Sequence, residues 1–257
     1  MFYQLVVLLV AVIIVHTVYV TVVRPNAESL VRRAAEQSAG GEQYVVPRSF
    51  FVVIKDFEQE ACFVLMFWAM SIMAYKTRTA LRETSMLTMP LISIAEGTRV
   101  LPDDAGQLAR PIQSLPEEQR NFLIPRALQT SLARFQVTAS VQSAIDAVSS
   151  ICETENYRLD SELSMVRYIT WAIPSIGFIG TVRGIGGALG KAHEAMQGNI
   201  AGVTASLGVA FNSTFIALLI SMVVMFFMHQ LQLIQERLVL DANAYCENRL
   251  LRFLKSE

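Results

Sequence analysis

Thr181 and Thr214 are the residues whose setting suggests chemistry. Thr181 lies in IPSIGFIGTVRGIGGALG (173–190), which holds six of the chain's 13 glycines. Thr214 lies in SLGVAFNSTFIALLISM (206–222). Around each runs a stripe of small residues at three- and four-residue spacing, so that each stripe shares one helix face. The first is Pro174, Gly177, Thr181, Gly184 and Ala188; the second is Ala210, Thr214, Ala217 and Ser221. A proton relay through a membrane needs an ionisable group inside it, and the middles of these two segments hold no carboxylate. Either there is no relay, or the carboxylate arrives on another chain. Pattern alone favours a plainer account. Small residues let helices pack closely, with Gly180-xxx-Gly184 and Gly186-xxx-Gly190 as ordinary pairs, and a membrane threonine most often hydrogen-bonds its own helix.

Other chemistries find little support. The sequence contains no phosphate-binding loop, nucleophile elbow or HExxH pattern. Gly184-Ile185-Gly186-Gly187 has no strand before it. Cys62, Cys152 and Cys246 have no CxxC spacing, and His16, His193 and His229 have no second ligand type at helical spacing. No enzyme activity, cofactor or metal is expected. A net charge of -1 gives no reason to expect nucleic acid as a partner.

The elements that must position the threonines are membrane helices. Of 257 residues, 53% are hydrophobic, and mean hydropathy is +0.42, well above what a soluble domain of this length needs. Four stretches are long and apolar enough to cross the bilayer: about 4–23, 59–75, 164–186 and 203–228. The first lacks a basic leader and a cleavage site, and is expected to be an anchor. Lys76, Arg78 and Arg82 follow the second span, Arg158 and Arg167 enter the third, and Arg237, Arg249, Arg252 and Lys255 follow the fourth. By the positive-inside bias both termini are cytoplasmic. The expected division is then a membrane hairpin over 1–75 with an outer loop at 24–56, a cytoplasmic helical segment over 76–163, a channel hairpin over 164–228 and a cytoplasmic helix over 229–257. The outer loop carries Arg24, Arg32, Arg33, Arg48 and Lys55 with Glu28, Glu36, Glu42 and Asp56, and residues 44–58 are placed along the outer membrane surface.

The fold class is all-α, with the last two spans extended into a cytoplasmic bundle. Ser114, Pro116, Glu117 and Glu118 look like a helix start, and Pro125 is expected to break or kink the chain. No proline or glycine interrupts 127–173 or 209–257. Leu128, Leu132, Phe135, Val141, Ile145, Val148 and Ile151 keep helical spacing, as do Leu231, Ile234, Leu238, Tyr245 and Leu251. Two helices of roughly 70 Å are expected to cross the membrane and project inward together.

PSIGFIGTVRGIGGAL resembles the signature of the MotA/TolQ/ExbB proton-channel family, a proline followed by G-x-x-G-T-V-x-G. Pro174, Gly177, Gly180, Thr181, Val182 and Gly184 fall in place. SLGVAFNSTFIALLISM resembles the family's last helix, with Thr214 at its characteristic threonine. The likeness covers about 150–235; the N-terminal half matches only in layout. It implies a homopentameric ring in the bilayer of a bacterial inner membrane. The ring would surround two helices of a single-span partner of the MotB/TolR/ExbD kind, whose intramembrane aspartate takes up and releases the proton. Thr181 and Thr214 would face that aspartate, Pro174 would shape the path, and Gly177, Gly184, Ala210, Ala217 and Ser221 would let the partner approach. The chain departs from the ExbB and TolQ pattern at Val209, where those members carry a glutamate about one turn before the last-helix threonine. Its outer loop is longer than that of MotA, so the branch stays open.

Arg183 occupies the motif's variable position, sixteen residues or roughly 24 Å after Arg167. It is expected to snorkel to the headgroups. The expected function is a channel subunit of a motor complex driven by the proton-motive force, with a self-contained channel or transporter and a flux-free membrane scaffold as alternatives.

Overall fold

The computed structural model describes residues 2–39, 49–95 and 97–255. Among them no strand forms, and Val100 and Leu254 make one isolated parallel bridge. Among the described residues eleven α-helices follow one another: α1 Phe2–Val18, α2 Arg24–Ala39, α3 Phe50–Ile54, α4 Phe57–Ser85, α5 Ala105–Gln113, α6 Glu117–Arg120, α7 Leu123–Thr138, α8 Val141–Glu162, α9 Ser164–Gly190, α10 Ala192–Met196 and α11 Ala201–Arg249. Four helical stretches, 4–34, 57–88, 141–190 and 201–253, are long and apolar enough to cross a membrane. The chain is a multi-pass membrane protein by that measure. It divides into two compact units, one from 1–74 and 165–228, the other from 75–164 and 229–257.

In the first unit α1 does not stop at the end of its apolar run. A π-turn at Tyr19–Val23 passes directly into α2. Pro25 has no N–H and its ring would clash with the carbonyl one turn earlier, so the widened turn is where the helix absorbs it. The stretch expected to be a loop over 24–56 is therefore helical to Ala39, and α3 follows at its far end. Glu42, Arg48 and residues 44–48 lie outside the described residues. The ring N–H of Trp68 on α4 donates to the Gln4 carbonyl at 2.9 Å, which ties α4 to α1. On the other side α4 meets α9, where the Cys62 thiol points at the Ile173 carbonyl at 3.7 Å. α9 and α11 pair through the Ser221 hydroxyl, which donates to the Thr170 carbonyl at 3.2 Å.

The second unit has an apolar core of Ile112, Leu128, Leu132, Phe135, Val148, Cys246 and Leu250. α7 and α8 form its hairpin, and here the expected unbroken helix over 127–173 is corrected. Ala139 takes a left-handed conformation with φ 52°, its N–H donating to the Phe135 carbonyl at 2.9 Å. Ser140 then caps α8 by accepting from the Ser143 N–H at 3.3 Å. A second break falls at Leu163, before α9. Pro125 breaks nothing; it stands in the first turn of α7, where a missing N–H costs no hydrogen bond. α11, with 49 residues and about 70 Å, keeps its expected length.

Acids of this unit are tied to bases. Glu155 accepts from Arg126 at 2.6 Å and is clasped by Arg158, which also reaches Glu162 at 3.0 Å; Lys76 binds Glu162 at 2.6 Å. Burial alone would raise the Glu155 pKa, but the hydrogen bonds and charges of Arg158 and Arg126 outweigh it and hold it below the usual value. Glu83, buried beside them, accepts from the Leu123 N–H at 3.3 Å, and burial pushes its pKa up.

Candidate functional site: a threonine pair beside an ion cluster

The two threonine stripes meet. α9 and α11 are antiparallel here and touch through their small residues, as cross-contacts at successive turns show. A Cβ placed on Gly177 would lie 2.6 Å from the Ala217 Cβ, one on Gly180 2.4 Å from the Ser213 Cβ, and one on Gly184 2.5 Å from the Ala210 backbone nitrogen. Real Cβ atoms do not approach so closely, so these three glycines are what lets the helices touch. Gly186 and Gly190 have nothing within 4 Å of such a Cβ. Of the two small-xxx-small pairs in the sequence, only Gly180-xxx-Gly184 packs within the chain.

At the centre of the seam the hydroxyls of Thr181 and Thr214 hydrogen-bond to each other. Three further contacts surround them. The Gly177 carbonyl lies 3.3 Å from the Thr181 hydroxyl and 3.2 Å from that of Thr214, and the Ala210 carbonyl lies 3.2 Å from Thr181. Thr181 thus reaches its own helix one turn back and also the helix opposite. Two hydroxyls carry two protons and four lone pairs. One proton bridges the pair and the other goes to a carbonyl, which leaves lone pairs able to accept from an incoming acid. The pair can pass a hydrogen bond along; it cannot store a charge.

The eight residues expected to line an ion path or face a partner separate by burial. Gly177, Gly184, Ala210, Ala217 and Ser221 are buried within this chain, and all but Ser221 are spent on the glycine–alanine contacts; Ser221 is spent on Thr170. The close approach that these five permit within the chain is between α9 and α11. Pro174, Thr181 and Thr214 are half-buried and keep surface for another molecule.

Gly180 stands against Glu58, the second residue of α4; a Cβ on this glycine would be 3.1 Å from the Glu58 Cγ. Thr181 is therefore level with the first turn of α4, beside a cluster of charges. Arg183 has an ion-pair partner within the chain. Its guanidinium forks onto Glu58, with 2.7 Å from Nε to one carboxylate oxygen and 2.7 Å from a terminal nitrogen to the other. Asp56 lies 3.9 Å away. One residue along α4, Gln59 is wholly buried; its amide donates to the Val53 carbonyl at 3.1 Å and reaches the Ser213 hydroxyl at 3.5 Å. Glu60 binds His16 at 2.7 Å and also Arg24, which stacks on the Phe57 ring at 4.4 Å. The Gln59 Oε1, Asp56 Oδ2 and Tyr19 hydroxyl are buried without a hydrogen-bond partner.

Sequence reasoning, which placed Asp56 in the outer loop and gave Glu58 and Glu60 no role, missed this cluster. A signal was present: an arginine inside an apolar helix needs a counter-ion, and these three acids stand at the same end of a neighbouring span. No group of three or more metal-ligating side chains occurs among the described residues. His193 lies in α10, just beyond the end of α9, bonded to Gln197 at 3.1 Å.

An all-helical chain with four helices able to cross a membrane, and a hydroxyl pair between two of them, has the form of a polytopic membrane transport protein. Residues 119–244 match the MotA/TolQ/ExbB proton channel family. This region, which includes both threonine stripes, is a domain of that family, a family of proton channels and not of enzymes. Neither a curated protein nor a solved structure matches the chain.

Proposed function

We propose that this protein is the channel subunit of a complex that turns the proton-motive force into movement of a partner. The observation that carries the reading is the Thr181–Thr214 hydroxyl pair, half-buried at the seam of α9 and α11 within the family domain. The pair can relay but not hold a proton, so the carrier must be an acid presented to it. In this reading a single-span partner presents an aspartate to the half-exposed face formed by Pro174, Thr181 and Thr214. Several copies of the chain, five by the family resemblance, surround the partner helices. The unit of 1–74 and 165–228 is the membrane part, and the unit of 75–164 and 229–257 is cytoplasmic with both termini, as the bases following the second and fourth spans favour. The membrane is then the inner membrane of a bacterium.

The test is proton flux into dye-loaded liposomes carrying the complex as isolated from its native membrane. The wild type conducts under an imposed potential. Thr181→Val and Thr214→Val keep size and shape but lose the relay, and each is expected to lower flux tenfold or more. Full flux in both variants sinks the mechanism. One observation favours a second reading, a channel complete in itself: Glu58 brings a carboxylate of this chain to the level of Thr181. Flux through the chain purified without any partner would support that reading instead.

A further inference from the structure

The charge on Arg183 is two residues from Thr181, a rise of about 3 Å along α9. A guanidinium does not lose its proton in a protein. Left alone beside a path for protons in a low-dielectric setting, it would oppose every cation that approached the threonines. Its surroundings answer that charge. Glu58 takes both oxygens to it at 2.7 Å, and Asp56 stands behind at 3.9 Å. Of the other charged groups at this end, Glu60 is engaged with Arg24 and His16. Lys55 precedes α4, and the hydroxyl of Ser213 on α11, which packs against Gly180, is neutral.

The two ends of the ion pair are unequally held. The Glu58 side chain is 10% exposed and fixed against Gly180; that of Arg183 is 49% exposed. The carboxylate is anchored, and the guanidinium is the partner free to swing. A buried ion pair is weak evidence of stabilisation, because desolvation offsets the attraction. An ionisable pair inside a membrane protein calls for a role.

We infer that Glu58 is a positioning residue for the ion path: it clamps Arg183 and neutralises its charge, so that a proton can reach Thr181 and Thr214. The inference rests on the channel reading above and assigns Arg183 the character of a latent barrier. It predicts an asymmetry. Glu58→Gln frees an uncompensated cation and lowers flux tenfold or more. Arg183→Gln removes the barrier itself and conducts at or above the wild-type rate. The double variant, lacking both charges, returns to within twofold of wild type. A pair that merely held helices together would make the two single variants equally harmful.

The experiment measures proton flux in liposomes for the isolated complex carrying each variant, normalised to assembled complex by gel filtration in detergent. Low flux in Glu58→Gln, unimpaired flux in Arg183→Gln and recovery in the double variant uphold the inference. Equal loss in both single variants, wild-type flux in Glu58→Gln, or a double variant as inactive as Glu58→Gln overturns it. Should Glu58→Gln fail to accumulate, Arg183→Gln decides alone, since a tenfold loss there is incompatible with a barrier. The wild type and Thr181→Val run alongside. A silent wild type defeats the channel reading, whereas a conducting, Thr181-dependent wild type with an indifferent Glu58 defeats only this inference.

Discussion

Among the described residues the chain holds two clusters of paired acids, one in each unit, and they are built to opposite plans. In the unit of 75–164 and 229–257, Glu155 is shared by Arg126 and Arg158, and Glu162 by Arg158 and Lys76. Each carboxylate has two cations, and the network is closed. In the other unit Glu58 has Arg183, Glu60 has Arg24 and His16, and buried acceptors on Asp56 and Gln59 stand without partners. Buried acceptors left open carry a real cost. A network that is fully satisfied specifies one arrangement; one that is not keeps capacity to bind or exchange. The first cluster therefore has the form of a structural tie, and the second that of a working site.

The largest expected effect comes from removing what brings the second cluster together. Gly184→Ala puts a Cβ 2.5 Å from backbone of α11, where no flexible side chain can give way. The hairpin must open, which costs roughly 3 kcal/mol, and the Thr181–Thr214 pair and the Glu58 contact go with it. Little assembled protein should be extracted from membranes. Gly186→Ala, with open space around its Cβ, is the control and should behave as wild type or melt slightly higher. Equal yields from the two variants would show that the seam is not as tight as the glycine contacts require.

Next comes the contrast between the two clusters themselves. Glu155→Gln leaves two arginines facing a neutral amide and should cost about 2 kcal/mol, the half-exposed guanidinia softening the loss. It should lower the melting temperature in detergent while flux per assembled complex stays near wild type. Glu58→Gln should do the reverse. If both variants changed stability alone, the distinction between tie and working site would fall.

How far these features could be read in advance follows from their physics. The four apolar lengths depend only on local composition, and the Pro174-to-Gly184 motif only on order, so both were legible. The continuation of α1 into Arg24–Ala39 was not. That stretch is polar, and Arg24 finds its partners, Glu60 and Phe57, across the fold. The break at Ala139 needs a left-handed alanine, which no propensity favours; Ser140 as a helix cap was the readable half of it. The threonines were legible as a pair of stripes, but their depth was not. One chain's sequence does not say that Gly180 is level with Glu58, and that level decides whether Arg183 meets headgroups or a carboxylate.

The smallest expected effect lies in pH, where Glu155 and its neighbour Glu83 work against each other. The pKa of Glu155 is held below its ordinary 4.5 by its arginines, so its contribution is present above that value and is lost as pH falls through the folded pKa. The pKa of Glu83 is raised, chiefly by burial, so its contribution is full below 4.5 and is lost as pH rises through the folded pKa. Above pH 5 Glu155 stays ionised, and of these two acids Glu83 is the one whose protonation still changes. Glu83→Gln keeps an oxygen for the Leu123 N–H but cannot ionise. It should be more stable than wild type at pH 7.5 and closer to it near pH 5. Melting curves in detergent at the two pH values test this directly. A variant less stable at pH 7.5 would mean that Glu83 is ionised and attracted by Arg126 and Arg158, and the closed cluster would then number three carboxylates in place of two.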